Sequence, residues 1–220
     1  IYLSILDLSQ SNRPLAAIGF GELGAQIELI LKSKNKKFHY YFDDLKNENG
    51  FPNTFLFKDY SNHFQEMEYI CCLGYKNLEL KTKIITSLSD NGSLAEPIIS
   101  SSAFVSESAD IFNGAVVYPG ANIDKGVVIN PGVLVNNSAV VSHDSTIGMS
   151  SYLSPGVVLS GNVNIGKNCF LGTGVTVSNN ITIGNNCVIG IGSVITQDVP
   201  DNSSVIGNPM KFLRKKIILN

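Results

Sequence analysis

Charge, histidine and long apolar runs are all scarce in this chain of 220 residues. Only 15% of its residues are charged against 44% hydrophobic, too apolar for a disordered chain and ample for a buried core. A net charge of -2 gives no bulk attraction to nucleic acid or to a membrane surface, and neither is expected as a partner. No stretch approaches the run of about 18 apolar residues that a spanning helix needs, so no membrane insertion is expected. The segment Ile1–Gln10 is partly apolar, but Asp7 interrupts it and no basic region precedes it. It reads as a strand or an ill-ordered start rather than a signal peptide, and Ile1–Asn12 has no counterpart in the patterns below. The four cysteines include no C-x-x-C pair. Reduced thiols in a cytoplasmic protein are the expectation.

The texture of the chain changes near Pro97. Before it, charges, aromatics and longer periodic stretches mix. After it, Val, Ile, Gly, Asn and Ser dominate, and Ser100–Ser102 mark the border. From Val105 to Ile195 an aliphatic residue falls at every sixth position, as in Val117, Ile123, Ile129, Val135, Val141, Ile147 and Leu153. Four residues after each comes a small or β-branched one, such as Ala115, Ala121, Ser151, Val163 or Cys169. A strand alternates with period two, so a sandwich has no reason to repeat every six. The unit reads as a short strand plus a turn, and three units make one triangular coil. Echoes at eighteen residues agree: Ile147-Gly148, Ile165-Gly166 and Ile183-Gly184; Asn168-Cys169 and Asn186-Cys187. Gly and Asn there are expected to supply left-handed corner angles. Cys169 and Cys187 stack inward as packed thiols, with a disulfide or metal pair as the alternative.

The first part carries Leu15–Ile18 as a strand, then Gly19-Phe20-Gly21-Glu22-Leu23-Gly24, a G-x-G-x-x-G, then helical spacing over Ala25–Lys32. Strand, loop and helix is the context of a nucleotide-binding turn, with N–H groups facing a pyrophosphate. The alternative is a tight turn with no ligand. A second strand, Tyr40-Tyr41-Phe42, ends in Asp43-Asp44, where an acid can meet a ribose. A third, Tyr69–Leu73, ends in Gly74-Tyr75, and Lys81 and Lys83 open a helix. The domain reads as a truncated βαβαβ unit, too small for a whole dinucleotide.

Of His39, His63 and His143, only His143 lies in the repeat. In Ser142-His143-Asp144-Ser145-Thr146-Ile147-Gly148 an imidazole sits beside a carboxylate able to orient it. It is either a surface histidine at a corner or a general base in a solenoid nearly free of ionisable groups.

A short nucleotide-binding domain, a hexapeptide repeat and a histidine followed by an acid, two residues and Ile-Gly resemble the bacterial hexapeptide-repeat sugar acetyltransferases of the bacillosamine and sialic-acid-modifying type. The resemblance implies a small Rossmann-like α/β domain over residues 1–97. A left-handed parallel β-helix with a C-terminal tail follows over residues 98–220. It implies acetyl-CoA as co-substrate, no metal, a nucleotide-linked amino sugar (a 4-amino-dideoxy sugar) as acceptor, and a homotrimer with sites between subunits. His143 is then the general base, Asp144 its partner, Asn136 a neighbour of the substrate, and the Gly161 N–H, one coil on, the donor to the thioester oxygen. The acceptor side draws on Gly19, Phe20, Gly21, Asp43, Asp44, Gly74 and Tyr75. The acetyl-CoA side draws on Tyr152, Gly161, Thr173, Gly174, Gly190, Ile191, Gly192 and Lys211, with Gly174, Gly190 and Gly192 keeping the wall low. Arg214, Lys215 and Lys216 either meet CoA phosphates or form a solvated tail.

Two positions depart from the family pattern. Tyr152 stands where a second histidine is common, and Leu23 where the glycine loop often has one. A zinc carbonic anhydrase of the same fold would need about three histidines in the repeat; only His143 is there. A non-catalytic solenoid would leave the first domain and His143-Asp144 unexplained. An O-acetyltransferase of a sialic-acid-like sugar is the competing reading, because one base serves amine and hydroxyl alike.

Overall fold

The computed structural model describes residues 13–214. Ile1–Asn12 and the basic residues Lys215 and Lys216 lie outside the described residues.

The first part is a parallel sheet with helices on both sides. Strand β1 (Leu15–Ile18) leads through the glycine loop into α1 (Glu22–Ser33), then β2 (Tyr40–Phe42), α2 (Asp44–Glu48), β3 (Thr54–Phe55), β4 (Glu68–Cys71) and α3 (Leu78–Asp90). The order across the sheet is β3-β2-β1-β4. α1 begins at Glu22 rather than Ala25, because Gly21 already has the extended backbone of an N-cap. β3 extends the sheet beyond the three strands expected from sequence: a two-residue strand shows no alternation to read.

From Ile98 onward the chain winds as a triangular parallel β-helix whose two-residue strands form three sheets. One sheet, the domain-facing one, runs from Ile98–Ile99 through Val116–Val117, Leu134–Val135, Tyr152–Leu153 and Phe170–Leu171 to Val188–Ile189 and Ser204–Ile206. The second contains Val140–Val141, Val158–Leu159 and Thr176–Val177; the third contains Val128–Ile129, Thr146–Ile147 and Asn164–Ile165. Up to Val188–Ile189 the strands pair in parallel with those eighteen residues on, as Val140 with Val158 and Thr146 with Asn164; the last parallel step, Val188 to Ser204, is sixteen. The hexad aliphatics from Val117 to Ile195 point inward and are buried as one core; each such side chain contributes about 1.5–3 kcal/mol on leaving water. Inward hydroxyls are matched at the corners: Ser145 Oγ donates to Ser160 O (3.2 Å) and accepts from Val163 N (3.0 Å). Cys169 and Cys187 are free, buried thiols that use the same corner carbonyls, Gly184 O and Pro200 O.

The α/β part sits on the domain-facing sheet. The outward residues of that sheet, Ile98, Val116, Leu134 and Tyr152, are buried together with Ala17, Phe20, Ile27 and Ile70. α3 lies along the edge between the third and the domain-facing sheets. Ile85 covers Gly132, Thr86 meets Met149 Sδ, and Thr82 Oγ1 donates to Asn168. No described helix is long and apolar enough to cross a membrane.

Candidate active site

Three residues stacked on successive coils make the edge between the second and third sheets. His143, Gly161 and Asn179 are eighteen residues apart, and the residue after each, Asp144, Asn162 and Asn180, has a left-handed φ of 58°, 58° and 61°. Asp and Asn tolerate that angle, which turns the chain through the corner. The turn brings the Asp144 carboxylate beside the ring: Oδ2 lies 2.9 Å from His143 Nδ1. A carboxylate only accepts, so Nδ1 carries the proton and Nε2 is left as a base. The two side chains are 44% and 54% exposed, so the dyad faces solvent and is free to meet a substrate.

The imidazole lies on Gly161. A Cβ built there would fall 2.5 Å from His143 Cε1 and collide with Nε2. Only glycine lets the ring rest at this height. The Gly161 N–H, expected to face a thioester oxygen, donates to Asn179 Oδ1 at 2.9 Å. The donor exists, but an oxygen of the chain's own occupies it.

The other expected residues fall elsewhere. Asn136, Thr173, Gly174, Ile191 and Gly192 lie on the next edge, between the domain-facing and second sheets. Ile191 is 70% exposed, and a Cβ on Gly174 or Gly192 would meet nothing within 4 Å, so this wall is open. Gly190 is a correction: it is covered by Ile206, whose Cγ1 would be 2.7 Å from a Cβ there. Gly172, missed in the sequence, keeps the neighbouring strip low, because a Cβ would lie 2.8 Å from Ile191 N. Lys211 is exposed on a short strand antiparallel to Ser204–Ile206.

Tyr152 is the larger correction. It is 7% exposed and turned toward the α/β part, with its ring 5.3 Å from Tyr75 and 5.8 Å from Phe170. Asn136 Nδ2 donates to its hydroxyl at 3.1 Å. An outward strand position on the domain-facing sheet carries it away from the open wall. Tyr75 and Asn136, both expected on the acceptor side, are therefore joined through Tyr152. Burial pushes the Tyr152 phenol above its ordinary range, and the bond from Asn136 works against that shift. Tyr118 lies one coil before Asn136 in the same column. It is 3% exposed, and its hydroxyl has no hydrogen-bond partner among the described residues.

In the glycine loop, Gly19 takes a left-handed φ of 76° and Gly24 packs under the Phe20 ring. Gly21 heads α1 with open space above it and no side-chain cap, so the first N–H groups of the helix face outward. Phe20 differs from expectation: its ring is in the core, 4.4 Å from Tyr41, and its N–H is taken by Asp43 Oδ2 at 2.7 Å. Asp43 Oδ1 accepts from Lys46 N as the N-cap of α2. Asp43 thus pins the loop to the end of β2. Asp44 accepts from Phe57 N at 2.8 Å, and Gly74 opens the turn that carries Tyr75.

Residues 162–197 match the bacterial transferase hexapeptide family of six repeats. The chain is similar to the acetyltransferase domain of PglB from Neisseria gonorrhoeae, solved with acetyl coenzyme A. Identity is 32%, the match covers 92% of this chain and 100% of that one, and the TM-score is 0.82. It is also similar to PerB from Caulobacter crescentus, solved with CoA and GDP-perosamine, at 26% identity over 92% of this chain and 98% of that one, with a TM-score of 0.83. A variant of that perosamine N-acetyltransferase with one histidine changed to asparagine matches at 25% identity over 93% of this chain and 99% of that one, with a TM-score of 0.85. No curated protein matches the chain in sequence. With a TM-score of 0.82 at 32% identity over 92% of its length, the chain belongs to the hexapeptide-repeat, acetyl-CoA-dependent sugar acetyltransferases, in the group with a small α/β domain ahead of the β-helix.

Proposed function

We propose that this enzyme transfers the acetyl group of acetyl-CoA to the amine of a nucleotide-linked amino sugar, with His143 as general base. The observation that carries the reading is the His143–Asp144 pair, Nδ1 held 2.9 Å from the carboxylate, with Nε2 standing over Gly161. The amine nitrogen attacks the thioester carbon while Nε2 takes its proton. The carbonyl electrons move onto oxygen, where the Gly161 N–H stabilises them. Collapse breaks the C–S bond, and the imidazolium returns the proton to the leaving thiolate. One such donor is worth about 2.7–4 kcal/mol of barrier. A buried cysteine relay is unnecessary, since Cys169 and Cys187 point into the core.

Residues 1–97 are the acceptor-binding domain in this reading. The open start of α1 at Gly21 suits an anionic diphosphate, and GDP-perosamine bound to PerB is a chemical precedent. The base lies on one edge of the prism and the open wall of Thr173, Gly174, Ile191 and Gly192 on another. That separation supports a homotrimer, each site pairing the base edge of one copy with the open edge of its partner.

The test is release of free CoA thiol from acetyl-CoA against a panel of nucleotide-linked amino sugars and their hydroxyl counterparts. Turnover with an amino sugar is expected; turnover only with hydroxyl sugars would replace N- by O-acetylation. Gly161→Ala probes the geometry within the same assay. The new methyl meets the far end of a flexible side chain, so the imidazole swings away and the fold is kept. A displacement of about 1 Å costs about 10²-fold in kcat/KM, with Tm unchanged. Full activity in this variant would show that the ring need not rest on Gly161.

A further inference from the structure

We infer that Asn179 is a placeholder for the acetyl carbonyl: in the free enzyme its side-chain oxygen occupies the oxyanion position, and acetyl-CoA, but not CoA, must displace it. The inference rests on the reading of the Gly161 N–H as the oxyanion donor. Asn179 Oδ1 lies 2.9 Å from Gly161 N. A catalytic donor keeps about 2.7–3.1 Å from the oxygen it stabilises. The carboxamide oxygen is chemically close to a thioester oxygen, and it sits where that oxygen has to arrive. It also comes from the next coil of the column that places His143 on the other side of Gly161.

The solenoid uses the same bond as a plain structural device elsewhere. Lys167 N donates to Asn185 Oδ1 at 3.0 Å, and Asn185 N to Asp201 Oδ1 at 2.8 Å. Those caps stand on the edge beside α3, with no histidine over the donor. At Gly161 the device coincides with the reacting centre, and that coincidence changes its consequence. Asn179 is exposed, and this is its one side-chain hydrogen bond among the described residues. It is therefore free to swing out. Acetyl-CoA exchanges one hydrogen bond for another at the amide, whereas CoA has no carbonyl to place there. Asn179 thus lowers the preference for substrate over product, and it keeps the amide satisfied and aligned between turnovers. It acts through the Gly161 amide and is a positioning residue.

The experiment is calorimetric titration of the intact protein with acetyl-CoA, using a non-reacting analogue that keeps the acetyl carbonyl as a check on hydrolysis, and with CoA. Wild type is compared with Asn179→Ala, Asn179→Asp and Asn185→Ala. Freeing the amide is expected to raise affinity for acetyl-CoA about two- to tenfold with CoA affinity unchanged, and KM falls while kcat holds. Asn179→Asp caps with a charged oxygen and shifts the ratio the other way. Asn185→Ala leaves the ratio where it is in wild type. An unchanged or reduced preference for acetyl-CoA in Asn179→Ala overturns the placeholder. If His143→Ala keeps full turnover, the reading of this corner as the reaction site has failed. If His143→Ala is inactive and the ratio does not move in Asn179→Ala, the placeholder alone has failed.

Discussion

His143→Ala is expected to lose about 10²–10⁴-fold in kcat, the usual worth of a positioned general base, while still binding CoA. The side chain is 44% exposed and makes its one hydrogen bond among the described residues with Asp144, so its removal leaves no buried group unsatisfied there. The fold should therefore be indifferent, and the loss chemical. Asp144→Asn separates the two things the carboxylate does. An amide oxygen still accepts from Nδ1 and keeps the tautomer, but the charge is gone. At 54% exposure that charge is screened by water, so orientation should matter more, and Asp144→Asn should retain more activity than Asp144→Ala. The check is single-turnover acetyl transfer for the three variants, with CoA titration as the binding control. Activity of His143→Ala within a few-fold of wild type would remove the base from the mechanism.

How much of this was legible in the sequence depends on whether a residue's role repeats. Ile147, Leu153 and Leu159 do the same thing on successive sides of the prism, so their six-residue recurrence gave the β-helix outright. The His143–Gly161 stack was reachable because it obeys the eighteen-residue step. Asn179 obeys it too, but an asparagine at a corner reads as one more turn residue, like Asn162 or Asn180. The docking face was also written in the chain. Ile98, Val116, Leu134, Tyr152, Phe170 and Val188 make one column that is apolar throughout, whereas the same position in the other two sheets mixes Phe104, Val128, Val140, Val158 and Val194 with Asp110, Asn122, Thr146, Asn164, Thr176 and Thr182. Tyr152 belongs to that column, and the family's position for it obscured the point. Asp43 illustrates a different limit. An acid at a strand end reads equally as a ribose ligand and as an N-cap, and the bonds to Phe20 N and Lys46 N favour the cap. Contacts between copies leave no periodic trace, so the proposed pairing of edges draws on the family resemblance and on the separate edges that carry His143 and Ile191.

Gly148→Ala is expected to destabilise the protein by about 3 kcal/mol or more, lowering Tm by about 6–12 °C in a chain of this size. Gly148, Gly166 and Gly184 do not have the left-handed angle expected of corner glycines; their corners are turned by neighbours such as Ser150, Asn168 and Asn186. They are glycines because the backbones of successive coils touch. A Cβ on Gly148 would lie 2.5 Å from Gly166 C and 2.6 Å from Lys167 N. A Cβ on Gly166 would lie 2.7 Å from Asn185 N. Backbone cannot rotate aside as an imidazole can. It must part, against a ladder spacing of about 4.7–4.9 Å that the flanking strands enforce. This edge also seats α3 through Thr86 on Met149 and Thr82 on Asn168, so the strain spreads into the contact that fixes the α/β domain. Thermal unfolding of Gly148→Ala beside Gly161→Ala tests the distinction. Two glycine-to-alanine changes one corner apart should fail in opposite ways, one losing stability and the other only the chemistry. Gly148→Ala melting within about 1 °C of wild type, a small fraction of the shift expected for a chain of this size, would show that the coils separate freely there and that close packing is not what selects glycine.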